Sequence, residues 1–254
     1  MTTTRILDVF GTGVALCNEE QIAEIILNPG EAGQFVAIGN VHSVMTARRD
    51  ADLATALRAA EAVTPDGMPL VWAMRAMGAS GARRVTGIDV MTATLQLGVE
   101  DEVGHFFYGS SEEVLGDLVR TIRGMFPGLI VSGVLSPPYR RLTLDELQLH
   151  ARQIRESGAN VVWVGLGMPK QELWMHDLAS ALPGISLVGV GAAFDWLAGK
   201  QARAPKWMQS TGLEWLYRLG QDPGRLWKRY VLNNPLYLLL LVSTWLRRAM
   251  SRRD

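Results

Sequence analysis

The residues of this chain best placed to do chemistry are polar side chains standing at the ends of apolar runs. Asp66 sits in "TPDG" (64–67), directly ahead of the apolar run "MPLVWAMRAMGA". A carboxylate held in a turn before such a run is partly desolvated, which raises its pKa above the usual value of about 3.9. It then suits the work of a general base; the plain alternative is an Asp that caps a helix or closes a turn. Three other places share this setting: Asn40 after "QFVAIG", the segment "GLGMPKQE" (165–172), and Asp195 at the end of "GVGAAFD". In the second of these, Gly165 and Gly167 would let an anion approach backbone N–H groups at a helix start, with Lys170 beside it. The same Gly-x-Gly is also an ordinary tight turn, and the full dinucleotide fingerprint is absent. Gln171 stands near that helix start, where its amide either reaches an anion or sugar hydroxyl or is merely solvated.

A second group is cationic. Arg218, Arg225, Lys228 and Arg229 recur at intervals of 7, 3 and 1, a spacing that gathers several cations on one or two helical faces. Clustered guanidinium groups suit a diphosphate, which they can hold by paired hydrogen bonds. The whole chain is neutral, but residues 200–254 hold 11 Lys/Arg against 3 Asp/Glu, a net of +8, and residues 1–199 hold 14 against 22, a net of −8. Half the tryptophans (Trp207, Trp215, Trp227 and Trp245) fall in that basic last fifth. Such asymmetry predicts a surface that meets an anion. Nucleic acid is disfavoured as that anion, because the body is acidic and the cations alternate with apolar runs.

Other chemistries lack their residues. "DAD" (50–52) imitates an Asp-x-Asp metal motif but stands where a helix begins, so it is read as a cap. His42, His105, His150 and His176 show no metal-ligand spacing, and no Walker-type loop or ordered Ser-His-Asp set appears. The expectation is a protein without a metal or other cofactor. Cys17, the single cysteine, allows no internal disulfide and reads as a small buried residue. The opening residues carry early acids and no long apolar stretch, which argues against a signal peptide and predicts cytoplasmic residence.

The elements that must position these residues alternate. "QFVAIG", "GHFFYGSS", "GLIVSGVLSPP", "NVVWVGLG" and "ISLVGVGAAF" read as strands. "DADLATALRAAEAV", "MPLVWAMRAMGA", "TLDELQLHARQIRESG" and "QELWMHDLASAL" read as helices, the third opened by a capping box of Thr143 and Glu146. Alternation of this kind predicts an α/β, Rossmann-like domain over residues 1–200, a mostly parallel sheet with helices on both faces. Its ligands would lie at the carboxyl ends of the strands. Residues 201–254 form a separate helical appendage, expected as three stretches near 205–220, 223–233 and 236–250. "PLYLLLLVSTWL" offers about a dozen apolar residues where spanning a bilayer takes about 20. It is therefore read as lying in an anionic membrane interface, between Arg247, Arg248, Arg252 and Arg253, or else packed in a core or subunit contact.

"TPDGMPLVWAMRAMG", "VWVGLGMPKQELWM" and "GVGAAFDWLAGKQARAPKWMQSTGLEWLYRLGQDPGRLWKRYVLNNPLYL" together resemble the WecG/TagA/CpsF family of bacterial glycosyltransferases, over about residues 5–246. The resemblance implies inverting, metal-independent transfer of a sugar from a UDP-sugar to a polyprenyl-diphosphate-linked saccharide, in cell-surface polysaccharide synthesis. N-acetylmannosamine, its uronic acid and glucose are all within the family's reach. It implies Asp66 as the catalytic base and associates Asn40, Gln171 and Asp195 with the nucleotide-sugar pocket. It gives Arg218, Arg225, Lys228 and Arg229 to an appendage that closes over the active site and meets the lipid diphosphate. Lys228 keeps the charge there but lacks the guanidinium fork. Ile38 stands where a hydroxyl residue is frequent in the family, so a donor contact made by that hydroxyl is missing. The implied location is the inner face of the plasma membrane, peripherally bound; self-association that buries the apolar tail is also compatible. Two other readings of the residues are a nicotinamide-nucleotide oxidoreductase using the glycine turns and an inactive membrane adaptor of a polysaccharide assembly complex.

Overall fold

The structure, a computed structural model, describes residues 4–250, apart from the side chains of Arg225, Arg229 and Ala249. An antiparallel hairpin, β1 (Ile6–Val9) and β2 (Thr12–Ala15), leads into α1 (Glu19–Leu27). There follow β3 (Gln34–Gly39), α2 (Val41–Ala47), α3 (Ala51–Ala59), β4 (Ala62–Pro65), α4 (Met68–Ala76) and α5 (Gly87–Glu100). β5 (Gly104–Gly109), α6 (Glu112–Met125), β6 (Ile130–Leu135), α7 (Leu144–Glu156), β7 (Val161–Gly165), α8 (Lys170–Ala179), β8 (Ser186–Gly189) and α9 (Ala193–Leu197) complete the body. The remainder is helical: α10 (Lys206–Ser210), α11 (Glu214–Gln221) and α12 (Pro223–Met250).

β3 to β8 form one six-stranded sheet in the order β4-β3-β8-β7-β5-β6, every pair parallel. Strands covered on both faces need no polar side, and β5 and β7 are accordingly near-continuous apolar runs, "GHFFYG" and "VVWVG", buried almost throughout. One face packs Val36, Phe107, Trp163 and Val188 against α1, α5, α6 and α9. The other packs Phe106, Tyr108, Val162 and Leu187 against α7 and α8. Each helix is set by short-range signals. α6 begins at Ser111, whose hydroxyl accepts from Val114 N, and buries Leu115, Leu118 and Ile122 at helical spacing. Asp50 caps α3 by accepting from Asp52 N and Leu53 N, and Thr143 and Glu146 close a reciprocal box on α7.

The structure corrects the sequence reading in several places. Ala62–Pro65, read as the end of a helix and a loop, is edge strand β4; its four residues are buried against β3, and pairing with that neighbour outweighs the helical composition before it. The hairpin β1–β2 and helices α1, α2, α5, α6 and α9 were not anticipated, and the last strand, read on to Phe194, ends at Gly189 with Ala193 and Phe194 in α9; β1 buries only alternate residues, a weak signal over four positions. The stretch 205–220 is two helices, α10 and α11, whereas 223–233 and 236–250 are one 28-residue helix with Pro235 inside it. Proline removes one backbone donor and usually ends a helix. Here tertiary packing holds it: Tyr237 is buried in a cluster with Val44 and Met45 of α2, Leu70 and Met74 of α4, and the hairpin. Among the described residues no helix is long and apolar enough to cross a membrane, because Lys228, Asn233, Asn234 and Arg247 interrupt α12.

Candidate active site

β3 and β4 are neighbours in register, Gly39 opposite Pro65, so the residues that follow them emerge side by side. Asn40 and Asp66 are those residues, and Asp66 N donates to Gly39 O at 2.7 Å. Asn40 caps α2, its Oδ1 accepting from His42 N at 3.0 Å and Ser43 N at 3.2 Å. Gly67 has φ +104°, a conformation open to glycine, and turns the chain at once from Asp66 into α4. The loop before α5 is drawn to the same place. Thr64 Oγ1 donates to Val85 O at 3.1 Å and Val85 N to Pro65 O at 3.0 Å, which brings Arg84 beside the end of β4.

The appendage supplies the opposite wall. Arg84 donates to Glu214 Oε2 and to Gln209 Oε1, both at 2.6 Å, and Arg218 donates to Glu214 Oε1 at 2.9 Å. The Arg218 guanidinium lies over the Trp196 ring, 4.4 Å from its centroid. α12 is moored by Asn233, whose Nδ2 is 2.9 Å from His42 Nδ1, and by Tyr237, whose hydroxyl donates to Pro69 O at 3.0 Å. Between body and appendage lies a cavity of about 560 Å³. Asn40, His42, Asp66, Arg84, Glu214 and Arg218 give it polar groups; Met68, Trp72, Trp215, Leu219, Val231 and Leu238 give it apolar walls.

Among the described residues, none donates a hydrogen bond to the Asp66 carboxylate. Burial pushes its pKa up to about 6; Arg218 and Arg84 pull it down, while Glu214 and Asp89 push it further up. A half-buried carboxylate, uncapped and facing a cavity, can accept a proton from a hydroxyl placed there near neutral pH. The two guanidinium groups beside it can stabilise negative charge.

Of the residues singled out in the sequence, Asn40, Asp66 and Arg218 meet at this cavity. Gly165, Gly167, Lys170, Gln171 and Asp195 stand at the carboxyl ends of β7 and β8, off its wall. Gly165 is glycine because Phe194 packs where a side chain would go; Gly167 has φ +75° and makes a tight turn. Gln171 is neither solvated nor in the cavity: it is buried, accepts from Gly167 N at 3.2 Å, and donates to Glu172 Oε1 at 2.9 Å and Gly189 O at 3.2 Å. It holds the turn to the sheet. Lys170 is exposed, 4.5 Å from the Tyr139 ring centroid, and Lys228 is exposed beside Trp227. The side chains of Arg225 and Arg229 lie outside the described residues, as do Arg252 and Arg253. Ile38 is buried in the core. Cys17 is buried too, which pushes its thiol up to about 12.

Sequence reasoning missed His42, Arg84 and Glu214. The available signal for Arg84 was a pair of arginines, Arg83 and Arg84, in a loop of an acidic body; for Glu214 it was an acid four residues before Arg218 on a helix. Among the described residues no group of three or more His, Cys, Asp or Glu side chains is placed to hold a metal.

A carboxylate with a raised pKa and two guanidinium groups around a cavity are chemically suited to a group transfer to a hydroxyl. The comparisons with known proteins agree with that chemistry. The chain is 30% identical over 211 residues to the N-acetylglucosaminyldiphosphoundecaprenol N-acetyl-beta-D-mannosaminyltransferase of Bacillus subtilis (strain 168), covering 83% of this chain and 80% of that one. The protein of the same description from Bacillus spizizenii is also 30% identical over 211 residues, covering 83% and 79%. Residues 7–251, nearly the whole chain, match a glycosyl transferase family model. Body, cavity and appendage all fall inside that match, and the chain belongs to the WecG/TagA/CpsF family of glycosyl transferases.

Proposed function

We propose that the chain transfers an N-acetylmannosaminyl group from a UDP-sugar to a polyprenyl-diphosphate-linked N-acetylglucosamine, with inversion at the anomeric carbon. The observation that carries this reading is Asp66: a carboxylate raised to about 6, without a hydrogen-bond donor among the described residues, facing the cavity opposite Arg84 and Arg218. Asp66 takes the proton of the acceptor hydroxyl as that oxygen attacks the anomeric carbon, and UDP departs from the opposite face. The relatives' names specify the donor group, the β product and the acceptor, and at 30% identity they are the basis for assigning the same substrates here. Arginine side chains and backbone N–H groups, rather than a metal, carry the charge of the diphosphates. The turn at Gly165–Lys170 and Asp195 lie on the same edge of the sheet as Asn40 and are assigned to the nucleotide end of the donor.

A lipid-linked acceptor requires the enzyme to reach a membrane surface. Leu232, Leu239, Val242, Trp245 and Leu246 are all exposed on α12 and off the cavity wall, and we assign that stripe to the cytoplasmic leaflet, with the enzyme bound peripherally. The oxidoreductase and inactive-adaptor readings are not favoured by the relatives. The test is UDP release from a panel of UDP-sugars, without added metal, in the presence of polyprenyl-diphosphate-linked N-acetylglucosamine in vesicles. Acceptor-dependent release with UDP-N-acetylmannosamine is expected. Release only with another donor would change the sugar, and no release from folded, vesicle-bound protein would overturn the transferase assignment.

A further inference from the structure

Among the described residues, Glu214 is the one carboxylate that touches both cavity-facing arginines. Its Oε2 is 2.6 Å from Arg84 of the body, and its Oε1 is 2.9 Å from Arg218 on its own helix. The three side chains are largely sheltered, at 14–16% exposure for the first pair and 26% for Arg218. Gln209 adds a second bond from the appendage to Arg84 at 2.6 Å, and Trp196 backs Arg218 at 4.4 Å. Two guanidinium groups crowded beside one carboxylate would repel each other and, unopposed, would weaken that carboxylate as a base. We infer that Glu214 is a positioning residue: it holds Arg84 of the body and Arg218 of the appendage as one pair, and offsets the positive charge that Asp66 meets, so that the docking of the appendage and the strength of the base are set together.

This rests on the transferase reading of the site. The groups that act on Asp66 come from each neighbouring element: Glu214 and Arg218 from α11, Arg84 from the loop before α5, and Asp89 from α5, itself 3.5 Å from Arg203. His42 of α2 lines the same cavity. Glu214 and Asp89 act to raise Asp66, Arg84 and Arg218 to lower it. Taking away the charge of Glu214 therefore lowers the pH at which Asp66 gains its proton, and taking away either arginine raises it.

The experiment is the pH dependence of kcat/KM for acceptor-dependent UDP release in wild type, Glu214→Gln, Glu214→Asp, Arg84→Gln and Arg218→Gln. In parallel, the Asp66 carboxyl is titrated by carbon-13 NMR, its signal assigned by its loss in Asp66→Asn. Glu214→Gln is expected to move the acid limb down by about one pH unit and to lower turnover at pH 8 roughly tenfold. Glu214→Asp keeps the limb in place and recovers part of the turnover; each arginine variant moves the limb up. Lost activity in Glu214→Gln with an unmoved limb would show a merely structural role and overturn the inference, as would wild-type behaviour. If Glu214→Gln does not fold, a downward shift in either arginine variant overturns it instead. Absence of turnover in wild type removes the transferase reading alone, because the carbon-13 titration still decides what Glu214 does to Asp66.

Discussion

At the scale of single residues, the position of Asp66 has two measurable consequences. As the base, Asp66→Asn is expected to lower turnover by roughly 10² to 10⁴-fold while UDP-sugar binding, followed by calorimetry, is retained. Near-normal turnover would remove Asp66 from the role. The second consequence is on stability. The folded protein holds the Asp66 proton up to about pH 6, whereas the unfolded chain releases it near 3.8. The native state thus binds more protons between these values, and stability falls as pH rises through them, then levels off above 6. Asp66→Asn carries no such charge, so it should unfold at a higher temperature than wild type at pH 8, by the equivalent of about 1–3 kcal/mol. The difference should fade below pH 4. Sequence reasoning found Asn40 because it follows the apolar run of β3 directly, and Asp66 because it stands in a turn just ahead of an apolar helix; that Asp66 also follows a strand end beside Asn40 depends on the pairing of β4 with β3. It could not find Arg84, whose position depends on Thr64 pairing with Val85, 21 residues away. The solvated reading of Gln171 fails for a related reason: its amide reaches Gly189 O of β8, a contact that no local pattern records.

Among the elements, α12 carries two opposed faces. Asn233 and Tyr237 point into the body, buried at 5% and 1% exposure, while Leu239 and Trp245 are 67% and 70% exposed. Burying each apolar side chain of the outer face in the lipid interface would contribute about 1.5–3 kcal/mol at most. Replacing one with a carboxylate removes that gain and adds repulsion from anionic headgroups. Leu239→Glu and Trp245→Glu should each weaken sedimentation with phosphatidylglycerol vesicles at least roughly tenfold. Both should leave the unfolding midpoint close to wild type, since substitutions of exposed residues usually cost within about 0.5 kcal/mol. Unchanged vesicle binding would take this face away from the membrane. The individual elements were unequally legible. β5, β7 and α7 stand out because a continuous apolar run or a capping box is a local signal. β4 is four residues long and becomes a strand through β3, and α12 passes Pro235 through its packing on α2 and α4; neither cause is present in the segment itself.

For the whole molecule, the division of charge sets how the protein meets a surface, and the fold changes the magnitude that the sequence suggests. The +8 of residues 200–254 is not all available. Lys200 is paired with Glu113 and Asp117, Arg203 with Asp89, and Arg218 with Glu214. Arg248 donates to the carbonyl groups of Arg75 and Ala76, at the end of α4. Lys206, Lys228 and Arg247 remain exposed, each worth about 1 kcal/mol near an anionic leaflet at low salt. The acidic body, with a net of −8, would be repelled by such a leaflet, so docking through the appendage would turn it away from the surface. Attraction by a few cations is screened as the Debye length falls from about 10 Å at 0.1 M salt to about 3 Å at 1 M, whereas apolar contact is not weakened by salt. Binding to vesicles rich in phosphatidylglycerol should therefore fall on going from 0.1 to 1 M sodium chloride but persist at a residual level, and Trp245→Glu should abolish that residue of binding. Complete release of wild type by salt would mean that the cations carry the attachment alone and that the apolar stripe of α12 is covered in another way.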